Sequence, residues 1–294
     1  MIAGVMGTPN EGVTGWSGMV EMKRIAHISD LHFGAADDRV AERLAESIEG
    51  LRPNLLVVSG DLTQRARRSQ FREARAFLDR LEFPQLIVPG NHDVPLYNVF
   101  DRFVNPLENY QRYITQDLAP FYSDEGLAVA GVNTSRSLTL KGGRISVSQI
   151  EAVRERMLAA GETALKVVVT HHPFDVPDGE DDRAIVGRAR IAMPAIASCG
   201  ADVFLAGHLH VSHVAHSARR YDLPGGYSAL IVQAGTAISS RSRGEANSFN
   251  VLDFEAPRLT IRRLECRDPG EPFAYAGAEY FVRTTQGWVE AKAC

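Results

Sequence analysis

Residues Leu86–Asp93 read LIVPGNHD. A short apolar run meets Pro-Gly, and three polar residues follow at once. An apolar run of this length, closed by turn residues, reads as a buried strand. Asn91, His92 and Asp93 therefore stand at the carboxyl end of a strand. The same construction recurs on both sides. Upstream, RIAHIS runs into DLHF, with Asp30 and His32, and LLVVS runs into GD, with Asp61. Downstream, VVVT runs into HHPF, with His171 and His172, and DVFLA runs into GHLH, with His208 and His210.

The segments between these runs have helical character. In DDRVAERLAESIEGL, Val40, Leu44, Ile48 and Leu51 form a stripe with acids in the first turn. SQFREARAFLDRL starts with Ser69 as its expected N-cap. In SVSQIEAVRERMLAAG, Ser148 and Glu151 have capping-box spacing and Gly161 is placed as the C-terminal cap. Alternating strands and helices predict an α/β arrangement with parallel pairing. After Val211 the runs GYSALIVQAG, SFNVLDFE, RLTIRRLEC and YFVRTT predict an antiparallel β-rich final third. The expectation is one domain over residues 23–294, built of two packed sheets with helices on their outer faces. Residues 1–22 read as a flexible extension, and about 94–125 as a small helical cap insertion.

Composition narrows the classes. The chain has 294 residues, 45% hydrophobic and 23% charged, with net charge −4. Such a balance suits a globular protein and supplies no global field for nucleic acid or anionic lipid. No run of about 18 apolar residues is present, so no membrane span is expected. Cys199, Cys266 and Cys294 are three and widely spaced. They form no C-x-x-C pair, which argues against a thiolate zinc site and against a disulfide framework. A reducing, cytoplasmic setting is expected. The sequence leaves the choice between monomer and homo-oligomer open.

Alone, each strand-end motif is weak: a D-x-H or G-D is a common turn, and G-N-H-D can be one too, since Asn and Gly favour positive φ. Together they are strong. Carboxyl ends of parallel strands line one sheet edge, where ligands bind, so residues spread over 180 positions would meet there.

In this order, D-x-H, G-D, G-N-H-D, H and G-H-x-H, the chain resembles the calcineurin-like metallophosphoesterases. Within them it is most similar to the bacterial cyclic-nucleotide and glycerophosphodiester phosphodiesterase branch. The resemblance implies an α/β (α+β) fold, a four-layer αββα sandwich of two mixed sheets, with a dimetal site at the strand ends. It implies one ion held by Asp30, His32, Asp61 and His210, and a second held by Asp61, Asn91, His171 and His208. A carboxylate shared by both ions suits metals about 3.5–4 Å apart. The nitrogen and oxygen donors suit Mn, Fe, Zn or Ni. His208 and His210 would serve different ions, side chains two apart in extended chain pointing the same way. The resemblance further implies that His92 protonates the leaving group, with Asp93 orienting it as a His–carboxylate dyad.

His172, Tyr97 and Arg136 are the candidate substrate contacts. His27 reads as a packed strand residue, and His213 and His216 as residues of a following strand or loop. The expected activity is phosphodiester hydrolysis of a small-molecule phosphoester. Phosphomonoester or pyrophosphate hydrolysis on the same site is the alternative, and a non-catalytic binding module is the alternative of another class. No nucleic-acid or membrane partner is indicated. The acidic run Glu180–Asp182 at the rim is expected to disfavour highly charged substrates.

Overall fold

The computed structural model describes residues 21–95, 104–136, 142–240 and 244–293. Two mixed sheets face each other. The first has the order β13-β12-β11-β10-β1-β2-β3 and the second β4-β5-β6-β7-β9-β8. The first sheet holds β1 (Lys23–Ile28), β2 (Leu55–Val58), β3 (Gln85–Ile87), β10 (Asn247–Glu255), β11 (Arg258–Cys266), β12 (Ala274–Thr284) and β13 (Gly287–Glu290). The second holds β4 (Phe121–Ser123), β5 (Leu127–Gly131), β6 (Leu165–Val169), β7 (Val203–Ala206), β8 (His213–His216) and β9 (Leu230–Gln233).

The strands are apolar on both faces because both faces are covered. Ile25, Leu55, Val57, Leu165, Val167, Val203, Leu252 and Phe254 point between the sheets. Their neighbours Ala26, Ile28, Leu56 and Val58 point outward, beneath α1 (Asp38–Leu51) and α2 (Arg68–Asp79). On the second sheet, Val168, Phe204 and Ile231 meet α4 (Val147–Ala159) and α5 (Ala189–Ala197). The period of two along each strand thus yields the four layers, helix, sheet, sheet, helix. A buried polar tie joins the sheets: Asp202 accepts from Arg283 Nη2 at 2.8 Å and Trp288 Nε1 at 2.9 Å.

Helix ends depart from the sequence pattern in places. Helix α1 carries the expected stripe, with Asp37 as N-cap accepting from Arg39 N. Helix α2 starts one residue before Ser69, with Arg67 at the N-cap position, and Gln70 Oε1 accepts from Arg65 N at 2.9 Å. Helix α4 is capped by Ser146 and Gln149, which exchange bonds of 3.1 and 2.9 Å, two residues ahead of the expected Ser148 and Glu151 pair. That helix ends on an extended Ala160, and Gly161 is not left-handed. The final third is not wholly antiparallel: β9 lies parallel to β7, while β10 to β13 are antiparallel.

Of the insertion after Asp93, α3 (Glu108–Tyr113) is described. Tyr110 is fully buried and donates to the Ile87 carbonyl oxygen at 3.0 Å, and Tyr113 stacks on Phe71. These two aromatics bind the insertion to the body. Tyr97, Phe100 and Phe103 lie outside the described residues. No described helix is long and apolar enough to cross a membrane.

Candidate metal centre

The carboxyl ends of strands from both sheets meet at one edge. His171 Nδ1 donates to the Ser59 carbonyl oxygen at 2.8 Å, and His208 N donates to Asp30 Oδ2 at 3.0 Å. Each bond links one sheet to the other. The turns that follow the strands are tight and left-handed: Asp30, His32, Asp61, His208 and His210 all have φ between 49° and 76°. Eight described non-glycine residues have positive φ, and these are five of them. Such conformations are costly for residues with a Cβ and persist where the surroundings impose them. The GHLH stretch is therefore not extended. His208 and His210 reach the site through two left-handed residues, not through strand alternation.

Glycines let the turns interlock. A Cβ on Gly90 would lie 2.1 Å from Asp61 Oδ1, and one on Gly207 would lie 1.9 Å from Ser29 Oγ and 2.4 Å from Asp30 Oδ2.

Seven of the sequence-predicted residues converge. In one group His210 Nε2 lies 3.2 Å from Asp30 Oδ1 and 3.2 Å from His32 Nε2, which is itself 3.8 Å from Asp61 Oδ2. In the other, Asn91 Oδ1 lies 3.1 Å from His171 Nε2 and 3.0 Å from His208 Nδ1. Asp61 Oδ2 is 3.4 Å from His171 Nε2, so one oxygen faces both groups. Lone pairs brought this close repel unless a proton or cation lies among them. Asp30 Oδ1 is buried and receives no bond of good hydrogen-bond geometry, although His210 Nε2 lies 3.2 Å away. Asp30, His32, Asp61 and His210 can hold one ion, and His171, His172 and His208 form a second group of that kind. His172, the candidate substrate contact, thus stands within the second group. Its ring is 4.6 Å from His208, and its Nδ1 meets Thr134 Oγ1 at 2.8 Å.

Electrostatics follow the same geometry. Burial raises the Asp30 and Asp61 carboxyls, but His210 and His32 beside the first, and His171 beside the second, outweigh it and hold both well below the usual range. Burial lowers His171, yet Asp61 lifts it to about 9. Burial and the His171 charge bring His208 down to about 4. The two carboxylates stay ionised and His208 stays neutral, as metal ligation requires, whereas His171 gives up its Nε2 proton when an ion binds there.

His92 and Asp93 do not form the expected dyad. Asp93 accepts from Leu62 N, Thr63 N, Gly90 N and Thr63 Oγ1 at 2.9 to 3.2 Å. Those donors saturate it, and it ties the Asp61 turn to the Asn91 turn. Burial and the Asp61 charge push its carboxyl up to about 6. His92 is oriented by the Gln64 carbonyl oxygen, which accepts from Nδ1 at 2.9 Å. Its ring meets His32 edge-on at 4.9 Å.

The model of the calcineurin-like phosphoesterase family matches residues 23–212. The chain belongs to that family. It is 25% identical over 169 residues to the glycerophosphodiester phosphodiesterase GpdQ of Enterobacter lignolyticus (strain SCF1), covering 54% of this chain and 60% of that protein. It is 29% identical over 219 residues to a cAMP/cGMP dual specificity phosphodiesterase of Mycobacterium tuberculosis (strain CDC 1551 / Oshkosh), covering 64% and 62%. The chain thus spans about three fifths of the length of these relatives. Among solved structures, PhoD superposes with TM-score 0.70 at 12% identity, over 94% of this chain and 73% of that one. A purple acid phosphatase of yellow lupin (Lupinus luteus) superposes with TM-score 0.61 at 11% identity, over 87% and 53%. At such identities the likeness concerns the fold. The family match and the histidine and aspartate groups together indicate two metal ions for this calcineurin-like phosphoesterase.

Proposed function

We propose that the chain is a dinuclear metal-dependent phosphodiesterase acting on a small-molecule phosphoester. The observation that carries this reading is Asp61 Oδ2, which faces His32 on one side and His171 on the other. Asp30, His32, Asp61 and His210 would hold one ion, and Asp61, Asn91, His171 and His208 the other. The donor set is all nitrogen and oxygen, which suits Mn, Fe, Zn or Ni. Bound there, the ions supply Lewis-acid polarisation of the phosphoryl oxygens and acidify water.

The chain's own residues do the rest. Asp61 and Asp30 keep their charge at neutral pH and fix the spacing of the two positions. His171 is aimed by the Ser59 carbonyl, so only its Nε2 faces the site. His92 spends Nδ1–H on Gln64, and Nε2 is therefore the atom at which it gives a proton to the departing oxygen. Asp93 acts through the backbone it binds. The phosphodiesterase names of two relatives support a diester over a monoester. The acidic rim supports it less than the sequence suggests, because Asp181 is paired with Arg183 and Asp182 with Arg220. Cys199 and Cys266 are free and buried, in keeping with a cytoplasmic setting.

The test is turnover of bis(4-nitrophenyl) phosphate and of 4-nitrophenyl phosphate after chelation and Mn re-addition. Chelation abolishes both activities, Mn restores them, and the diester has the higher specificity constant. Full activity in metal-stripped protein overturns the two-metal reading. A clear monoester preference overturns the diester assignment.

A further inference from the structure

A cationic cluster lies beside the metal centre and takes no part in it. Beyond β5 the chain runs through Asn133–Arg136. The segment from Gly142 to Ser146 passes alongside, and Arg144 N donates to the Thr134 carbonyl oxygen at 2.9 Å. Gly187 pairs with Arg144, its N–H donating to Gly143 O at 2.8 Å and its carbonyl accepting from Ile145 N at 3.1 Å. This arrangement gathers Arg136, Arg144 and Arg188 around one stretch of backbone.

Their partners are neutral. Arg136 Nη2 donates to Arg144 O at 2.8 Å and to Gln149 Oε1 at 3.1 Å, and Arg188 Nη1 donates to Ile145 O at 3.5 Å. Among the described residues no carboxylate pairs with any of the three. Burial and the charges of Arg144 and Arg188 hold the Arg136 guanidinium below its ordinary value. The arginines across the loop are treated differently: Arg219 and Arg220 both close on the buried Asp175. Arg188 also adopts φ 70°, which a residue with a Cβ rarely takes. Three like charges held together without counter-charge are a cost to the fold, and an anion would relieve it.

The cluster adjoins the second ion position. Thr134, whose carbonyl fixes Arg144, places its hydroxyl on His172 Nδ1. Gly143 approaches the same ring so closely that a Cβ there would lie 2.2 Å from Nδ1. Each guanidinium has five N–H groups and few are spent here, which leaves forks that match phosphate or carboxylate.

The geometry points to a second anion subsite formed by Arg136, Arg144 and Arg188, which takes a phosphate or carboxylate carried by the alcohol part of the phosphoester substrate. This inference rests on the reading of the neighbouring centre as a phosphoester hydrolase. It narrows the substrate class to phosphoesters bearing a further anionic group.

The test is equilibrium binding by calorimetry to the Mn-loaded protein, with thymidine 3′,5′-bisphosphate and thymidine 5′-monophosphate as probes. The wild-type chain binds the bisphosphate about tenfold more tightly or better, the scale of charge-assisted pairs to arginine. The Arg144→Gln/Arg188→Gln variant loses that preference, and Arg136→Lys, which keeps the charge without the fork, retains part of it. Equal binding of the two probes by the wild type, or a preference that survives in the double variant, overturns the subsite. Hydrolysis of bis(4-nitrophenyl) phosphate, which has no second anionic group, reports separately on the metal centre. Its absence in Mn-loaded protein overturns the phosphodiesterase reading, whatever the binding measurement shows.

Discussion

At the scale of single residues, the side chains that converge at the strand ends could be read from sequence and their supports could not. Asp30, His32, Asp61, Asn91, His171, His208 and His210 stand at strand ends, where pattern exposes them. The groups that aim them are the Ser59 and Gln64 carbonyls, and a main-chain oxygen leaves no signature in sequence. The resemblance implies Asp93, adjacent to His92, as its orienting partner, whereas Asp93 holds two turns together. The proton role of His92 is checked with His92→Ala. Metal content by mass spectrometry stays at the wild-type level, while turnover of an alkyl ester falls by about 10²–10⁴. The loss is smaller for a nitrophenyl ester, which needs no proton. A comparable loss of metal makes His92 a ligand. A second residue-level prediction concerns His27, whose Nε2 meets Ser59 Oγ at 2.9 Å inside the first sheet. Burial lowers its pKa from 6.5 to about 3. The unfolded chain takes up a proton on this residue below pH 6.5 that the native chain refuses. Its contribution to stability is therefore complete above that pH and is lost as pH falls towards 3, by about 1.4 kcal/mol per unit. His27→Gln flattens the pH dependence of urea unfolding by about one proton between pH 6 and 4. An unchanged slope contradicts the assignment of a buried neutral imidazole.

At the scale of elements, strands were legible and helix starts were not. Ser69 and Ser148 are good capping residues by type, but each lies inside the first turn because Gln70 and Ser146 with Gln149 satisfy the free N–H groups earlier. The parallel β9 escaped a reading based on composition, since local pattern does not encode strand direction. The turns are where element and site coincide. Gly207 is a closing point between the sheets, and any side chain there collides with Ser29 and Asp30. Gly207→Ala is expected to lose most metal binding and several degrees of melting temperature. Gly161→Ala, at a position with nothing within 4 Å of the added carbon, changes neither. Full metal loading by Gly207→Ala contradicts the interlocking of the turns.

At the scale of the whole molecule, two sheets and their outer helices bring turns from residue 30 to residue 210 to one edge. The sheets are held by Val, Leu, Ile and Phe packing between them, which the apolar runs announced. That the edges of both sheets contribute ligands follows from which strand ends beside which, and a linear pattern does not carry that information. The central claim is that Asp61 Oδ2 stands between two ion positions that only this packing brings within reach. Electron paramagnetic resonance of the Mn-loaded chain tests it most directly. The wild type gives the spectrum of an exchange-coupled Mn pair, and Asp61→Asn loses it. Isolated six-line Mn signals in the fully loaded wild type would contradict a shared carboxylate between two ions.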